Sequence, residues 1–219
     1  MNNKKLLGLM AGVSSLVLAG SVSADFLGFD VEVINSGMND DFTGVAIGTT
    51  YRIYAVIDSG GEVDAIYGDS ANPLSVSSQT SFYQHALGSY GAPMSALIFI
   101  YPALAYDSFV TIGRLTDQDN AMMDIGIDWT AFNAGGEIYT DNGTWFATPD
   151  DAQVHDPGDG RILIGQFTSD SFFATGTVSL QGKNADGSNW NALGVNWIPA
   201  PGALALLGLA GLASRRRRM

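Results

Sequence analysis

Short runs in which apolar and polar residues alternate, each closed by a cluster of Gly, Asn, Asp or Ser, restrict this chain to β-structure. Leu27, Phe29, Val31 and Val33 alternate with Gly28, Asp30 and Glu32, and Tyr51, Ile53, Ala55 and Ile57 alternate with Arg52, Tyr54, Val56 and Asp58. A period of two is that of a strand with one buried face. Further strands are expected at residues 62–67, 97–101, 108–112, 161–168 and 174–181, with turns at 58–62, 133–136, 141–143 and 156–160. No stretch supports a helix of ten residues, because Gly and Asn recur too often and Pro93 and Pro102 bracket the most apolar run. Short strands at a spacing of roughly 8–12 residues predict an all-β fold, a single β-sandwich of jelly-roll-like or immunoglobulin-like kind. The absence of a fixed repeat argues against a propeller or solenoid.

The two ends of the chain carry a different signal. Lys4 and Lys5 precede an apolar run from Leu6 to Ala19, and Val22, Ser23 and Ala24 supply small residues before Asp25. That order is a secretory signal peptide, so residues 1–24 are expected to be removed and the mature chain to begin at Asp25. At the other end Pro199, Ala200 and Pro201 precede an apolar run from Ala203 to Ala213 and four arginines, Arg215, Arg216, Arg217 and Arg218. Proline fits the first turn of a helix, because its missing N–H would have no partner there. Fourteen residues from Pro201 to Ser214 span about 21 Å against a hydrocarbon core of about 30 Å. Snorkelling arginine stems, and Trp197 at the opposite interface, extend the anchored length. A short C-terminal transmembrane helix stopped by the arginines is therefore expected. The chain divides into residues 1–24, a domain at 25–196 and a tail at 197–219.

The order Pro-x-Pro, short Ala/Leu/Gly helix and terminal arginine cluster resembles the PEP-CTERM sorting signal of Gram-negative bacteria. Ala200 stands where the motif of that family carries Glu. The resemblance covers about a tenth of the chain and implies recognition by an exosortase, a multi-spanning membrane protease, with cleavage near Pro199 to Pro201. It also implies passage through signal peptidase and delivery to the cell envelope or the extracellular space. The segments 50–56, 82–84 and 107–113 resemble the uncharacterised exported domains that accompany such tails.

Between the ends, all twenty-two acidic residues of the chain face only Arg52, Arg114, Arg161 and Lys183, a balance of −18. Such a surface repels nucleic acid, whose binding depends on Lys and Arg, and attracts cations. Its aromatic and β-branched content marks a folded body rather than a disordered acidic chain. With no cysteine, thiol catalysis and cysteine-ligated metals are excluded, and an exported domain must be held by its core.

No constellation of catalytic residues stands out. His85 and His155 are seventy residues apart, and neighbouring Asp156 would point to the opposite strand face from His155. Both histidines read as surface or structural groups. Neither the Gly-x-Ser-x-Gly motif nor a zinc-binding helix motif occurs. Asp117 and Asp119, with Asn120 and Asp124 close by, offer oxygen ligands at alternate spacing for Ca²⁺, the one cofactor the sequence suggests; Asp150, Asp151, Asp156 and Asp159 form a second set. Neither set has the glycine and glutamate spacing of an EF-hand, and solvated loops give the same pattern. Trp145, beside the turn at 141–143, is the best candidate for an exposed sugar-stacking indole, against the default that a strand aromatic is core. These readings lead to an exported, non-enzymatic envelope or matrix protein, with a polysaccharide hydrolase or a calcium-stabilised sugar-binding module as the alternatives.

Overall fold

The computed structural model describes residues 26–171 and 174–197. The expected signal peptide, Pro199–Pro201 sorting motif, C-terminal transmembrane helix and arginine stop lie outside the described residues. Within them the chain is all-β and forms two antiparallel sheets. The first sheet contains β1 (Phe26–Ile34), β2 (Thr49–Ile57), β9 (Arg161–Ser169) and β5 (Phe109–Val110), in the order β1-β2-β9-β5.

The second sheet is built around β10 (Ala174–Lys183). One edge of β10 pairs with β11 (Asn189–Trp197). Its other edge is covered end to end by β3 (Glu62–Gly68) and β4 (Leu74–Ser78). Beyond these lie β8 (Gly143–Phe146) against β3, β7 (Ile138–Thr140) against β4, and β6 (Met123–Ile125) outside β8. Two broken ribbons, β3 with β4 and β7 with β8, thus run beside one continuous strand.

The inner faces of the sheets meet in a single apolar core. In β10, Ala174, Gly176, Val178, Leu180 and Gly182 are buried on one face, while Thr175, Thr177, Gln181 and Lys183 stay at least partly accessible on the other. The two glycines give the tryptophans of β11 room to lie flat. A Cβ on Gly176 would stand 2.1 Å from the Trp197 ring, and one on Gly182 would stand 2.8 Å from the Trp190 ring. Trp197 then packs edge-on to Phe29 at 5.3 Å and stacks with Phe167 at 6.2 Å, joining the two sheets. Burying a side chain of this size supplies about 4–6 kcal/mol of hydrophobic free energy.

Three expectations are corrected by the fold. Trp197 is 1 % exposed, so it is a core residue of the last strand and not an interfacial anchor of the tail. The strand expected at 97–101 is instead the four-residue helix α1 (Ser95–Ile98) and the turn after it. Apolar composition pointed to a strand there, but Phe99 is 93 % exposed and the segment pairs with no sheet. The strand expected at 108–112 shrinks to two residues. Among the described residues helices are confined to α1, α2 (Thr130–Asn133) and a 3₁₀ turn at Pro102–Tyr106, and none of them is long and apolar enough to cross a membrane.

Candidate functional site

The most distinctive surface feature arises from a register slip in β3. Gln181 pairs with Ala65 but Gly182 pairs with Val63, leaving Asp64 without a partner in the β10 ladder. A bulge of this kind puts two successive residues on nearly the same face. Val63 and Ile66 both enter the core at 0 % exposure, whereas Asp64 and Ala65 turn to the outer side and line a hollow there.

Asp64 lies between two adjoining hollows that share it with Gln181. One, of ≈ 300 Å³, is mainly polar and is walled by Asn189, Trp190 and Asn191. The other, of ≈ 530 Å³, is mainly apolar and is walled by Tyr67, Ile125, Thr144, Phe146 and Pro149. Gln181 faces Asn191 directly across the ladder, so the two residues stand one strand spacing apart, about 4.8 Å. Together the hollows form an open groove, polar at one end and apolar at the other, with a carboxyl group at their junction.

That carboxyl group is not in its ordinary state. Asp64 is only 9 % exposed, and among the described residues its Oδ1 has no hydrogen-bond partner. Burial first, then the neighbouring Glu62 charge, pushes its pKa up to about 6, with Lys183 and His155 pulling the other way. Glu62 itself is committed: its Oε1 lies 3.4 Å from Lys183 Nζ and its Oε2 lies 3.1 Å from His155 Nδ1.

A second ionisable cluster closes on itself. His85 Nδ1 accepts the Leu87 N–H at 3.1 Å, which leaves the proton of the neutral ring on Nε2, 3.3 Å from Asp41 Oδ2. Asp41 also accepts the Ala103 N–H at 2.9 Å, and its neighbour Asp40 accepts the Tyr83 hydroxyl at 2.7 Å. Against the cost of burial, this bond and those from Thr43 and Phe42 take Asp40 down to about 2. Beneath them Asp107, 0 % exposed, accepts the His85 backbone N–H at 2.7 Å. Burial drives its pKa up to about 7, although the backbone N–H groups of His85, Ser108 and Ser89 oppose the shift. The cluster clasps the 35–48 connection onto the body of the domain.

The residues singled out from sequence are dispersed differently. Trp145 is 1 % exposed and pairs with Ile66 on the inner face. It is a core residue, and the strand period turns its neighbours Thr144 and Phe146 into the groove instead. Asp117 accepts the Ser95 N–H at 2.8 Å, and the Asp119 carbonyl accepts Arg114 Nε at 3.1 Å. With Asp150 and Asp151 they line an open depression, but among the described residues no three His, Cys, Asp or Glu side chains gather in a way that could hold a metal ion. Asp124 leaves the set to accept Tyr90 Oη and Trp129 Nε1, each at 2.9 Å. Asp156 caps its own loop through the Gly158, Gly160 and Gly60 N–H groups, and Asp159 pairs with Arg161. His155 pairs with Glu62, ninety-three residues away in sequence, not with Asp156.

Asp64, Gln181, Asn189 and Asn191 were not singled out by the sequence reading. The available signal was the pair Glu62 and Asp64, two acids at strand spacing inside an otherwise apolar run. No protein-family model matches the chain, and neither a curated protein nor a solved structure matches it significantly.

Proposed function

We propose that this chain is an exported, non-enzymatic protein of the cell envelope or extracellular matrix that binds polysaccharide through the groove around Asp64. Its C-terminal tail serves as the sorting address, processed by an exosortase-type membrane protease. The observation that supports the binding role is the groove itself. Carboxamides and a carboxyl group suit the hydroxyl edge of a sugar, and the rings of Tyr67 and Phe146 suit its C–H face. A shallow, open groove accommodates a continuing chain rather than enclosing a small molecule.

A hydrolase reading needs two carboxylates flanking the scissile bond. Glu62 and Asp64 are neighbours, but both Glu62 oxygens are engaged, by Lys183 and His155, which leaves Asp64 alone toward the groove. The export half rests on the two terminal signals and the resemblance of the tail.

The test is to separate membrane, matrix and medium fractions of the native host, measure the intact mass of the protein in each, and elute the matrix fraction with soluble polysaccharide. The expected species begins at Asp25, ends near Pro199 to Pro201 and elutes with the competing polysaccharide. A species retaining Arg215 to Arg218 and found only in the membrane would overturn the processing. Matrix protein indifferent to every competing polysaccharide would overturn the binding role.

A further inference from the structure

We infer that the groove takes a saccharide bearing a free amine, its ammonium group set against the Asp64 carboxylate. This rests on the polysaccharide-binding reading and names the class of sugar.

The argument begins with what Asp64 lacks. It is more than nine-tenths buried, its Oδ1 is shut off from solvent without a hydrogen-bond partner among the described residues, and it borders both halves of the groove, so that Oδ2 is the oxygen a ligand meets. A buried charge without a partner is costly, and a ligand that supplies the partner recovers that cost on binding. Lys183 acts on Asp64 electrostatically, but its ammonium lies against Glu62, as does the His155 ring. Neither lines the two hollows. Both act on Asp64 from a distance, and a counter-charge in direct contact with it has to come from outside.

The choice of ligand follows from charge. A neutral sugar hydroxyl can donate to Asp64 but leaves its charge uncompensated. A uronate or sulfated sugar would bring a second anion to a domain whose balance is already −18. An ammonium compensates the charge and makes the stronger, charge-assisted hydrogen bond, and the field of the domain draws it in. Asn189, Asn191 and Gln181 remain for the neighbouring hydroxyls. The raised pKa of Asp64, about 6, adds a pH signature. The groups facing it are Glu62, Lys183 and His155. As pH falls through about 6, Asp64 takes up a proton and the attraction for an ammonium is lost, whereas a neutral sugar keeps its hydrogen bonds.

Calorimetric titration of the purified full chain in detergent, with a β-1,4-linked glucosamine tetramer and its fully N-acetylated counterpart, tests the inference. The amine form is expected to bind about tenfold more tightly at pH 7, with the margin shrinking at pH 5. Asp64→Asn should abolish that preference and leave the acetylated tetramer bound. Gln181→Lys, at an exposed position, should weaken the amine form more than the acetylated one. Equal affinity of the two tetramers overturns the inference while leaving polysaccharide binding standing, as does a preference that survives Asp64→Asn, which would reflect general attraction to an acidic domain. Failure of both tetramers, together with failure of the competing polysaccharides in the matrix experiment, removes the binding role itself.

Discussion

Two regions of this domain pair a histidine with a carboxylate beside a second, buried aspartate whose pKa is raised. At the clasp, His85 meets Asp41 above Asp107; at the groove, His155 meets Glu62 beside Asp64. The chemistry is alike and the surroundings are not. Asp107 is 0 % exposed with its Oδ1 on the His85 N–H, and a single Cβ on Gly88 would stand 1.7 Å from its Oδ2. Asp64 borders two open hollows. A raised pKa reports burial, whereas a site also needs access, so the more strongly shifted aspartate is the structural one. Perturbed groups in folded proteins divide between these roles.

The largest effect that would break this comparison is in the pH dependence of stability. Asp107 has a folded pKa above its ordinary value of 3.8, at about 7. Between those values the folded chain holds a proton that the unfolded chain has released, so stability falls as pH rises through that window. The contribution is on the order of 4 kcal/mol at most. Denaturant melts of Asp107→Asn across pH 4–8 should be flatter than those of the unsubstituted domain; an unchanged slope would mean that Asp107 is not held in the low-dielectric interior.

A second, smaller effect separates the sealed region from the open one. Gly88→Ala forces a methyl group onto Asp107 and is expected to cost about 1–3 kcal/mol. Gln181→Ala in the groove should stay within about 0.5 kcal/mol. Urea midpoints of the two variants compare them directly, and equal losses would erase the distinction.

The smallest effect sharpens the groove side. Lys183 is 36 % exposed at its side chain, and Lys183→Met is expected to change stability by less than about 1 kcal/mol. Removing its charge should nevertheless move the Asp64 titration upward, because Lys183 is one of the two basic side chains holding it down. Carboxyl-carbon NMR of Asp64 reads that shift, and a downward movement would contradict the assignment of neighbours.

What was legible in the sequence was local. Alternation at 27–33 and 51–58, and the turn-bounded runs at 62–67, 161–168 and 174–181, are properties of neighbouring residues, and strands are present at all five. Where composition and pattern diverged, the reading failed. The apolar run at 97–101 lies on the surface, and Trp197, beside the prolines of the tail, belongs to the core. β11 was missed because its Asn and Gly residues resemble a turn; what holds it is pairing along β10 and the seating of Trp190 and Trp197 on Gly182 and Gly176.

The sequence by itself determined the β-class, through side-chain period, and the acid excess of the central segment, through composition. Its two ends carry the export and sorting expectation without any help from the fold. Only the tertiary structure decided which acids matter. Glu62, His155 and Lys183 meet across separations that no local pattern encodes, and one slipped register in β3 turns Asp64 outward beside Gln181. Strand identity depends on adjacent residues, but the facing of a side chain depends on register, and register is set by the partner strand.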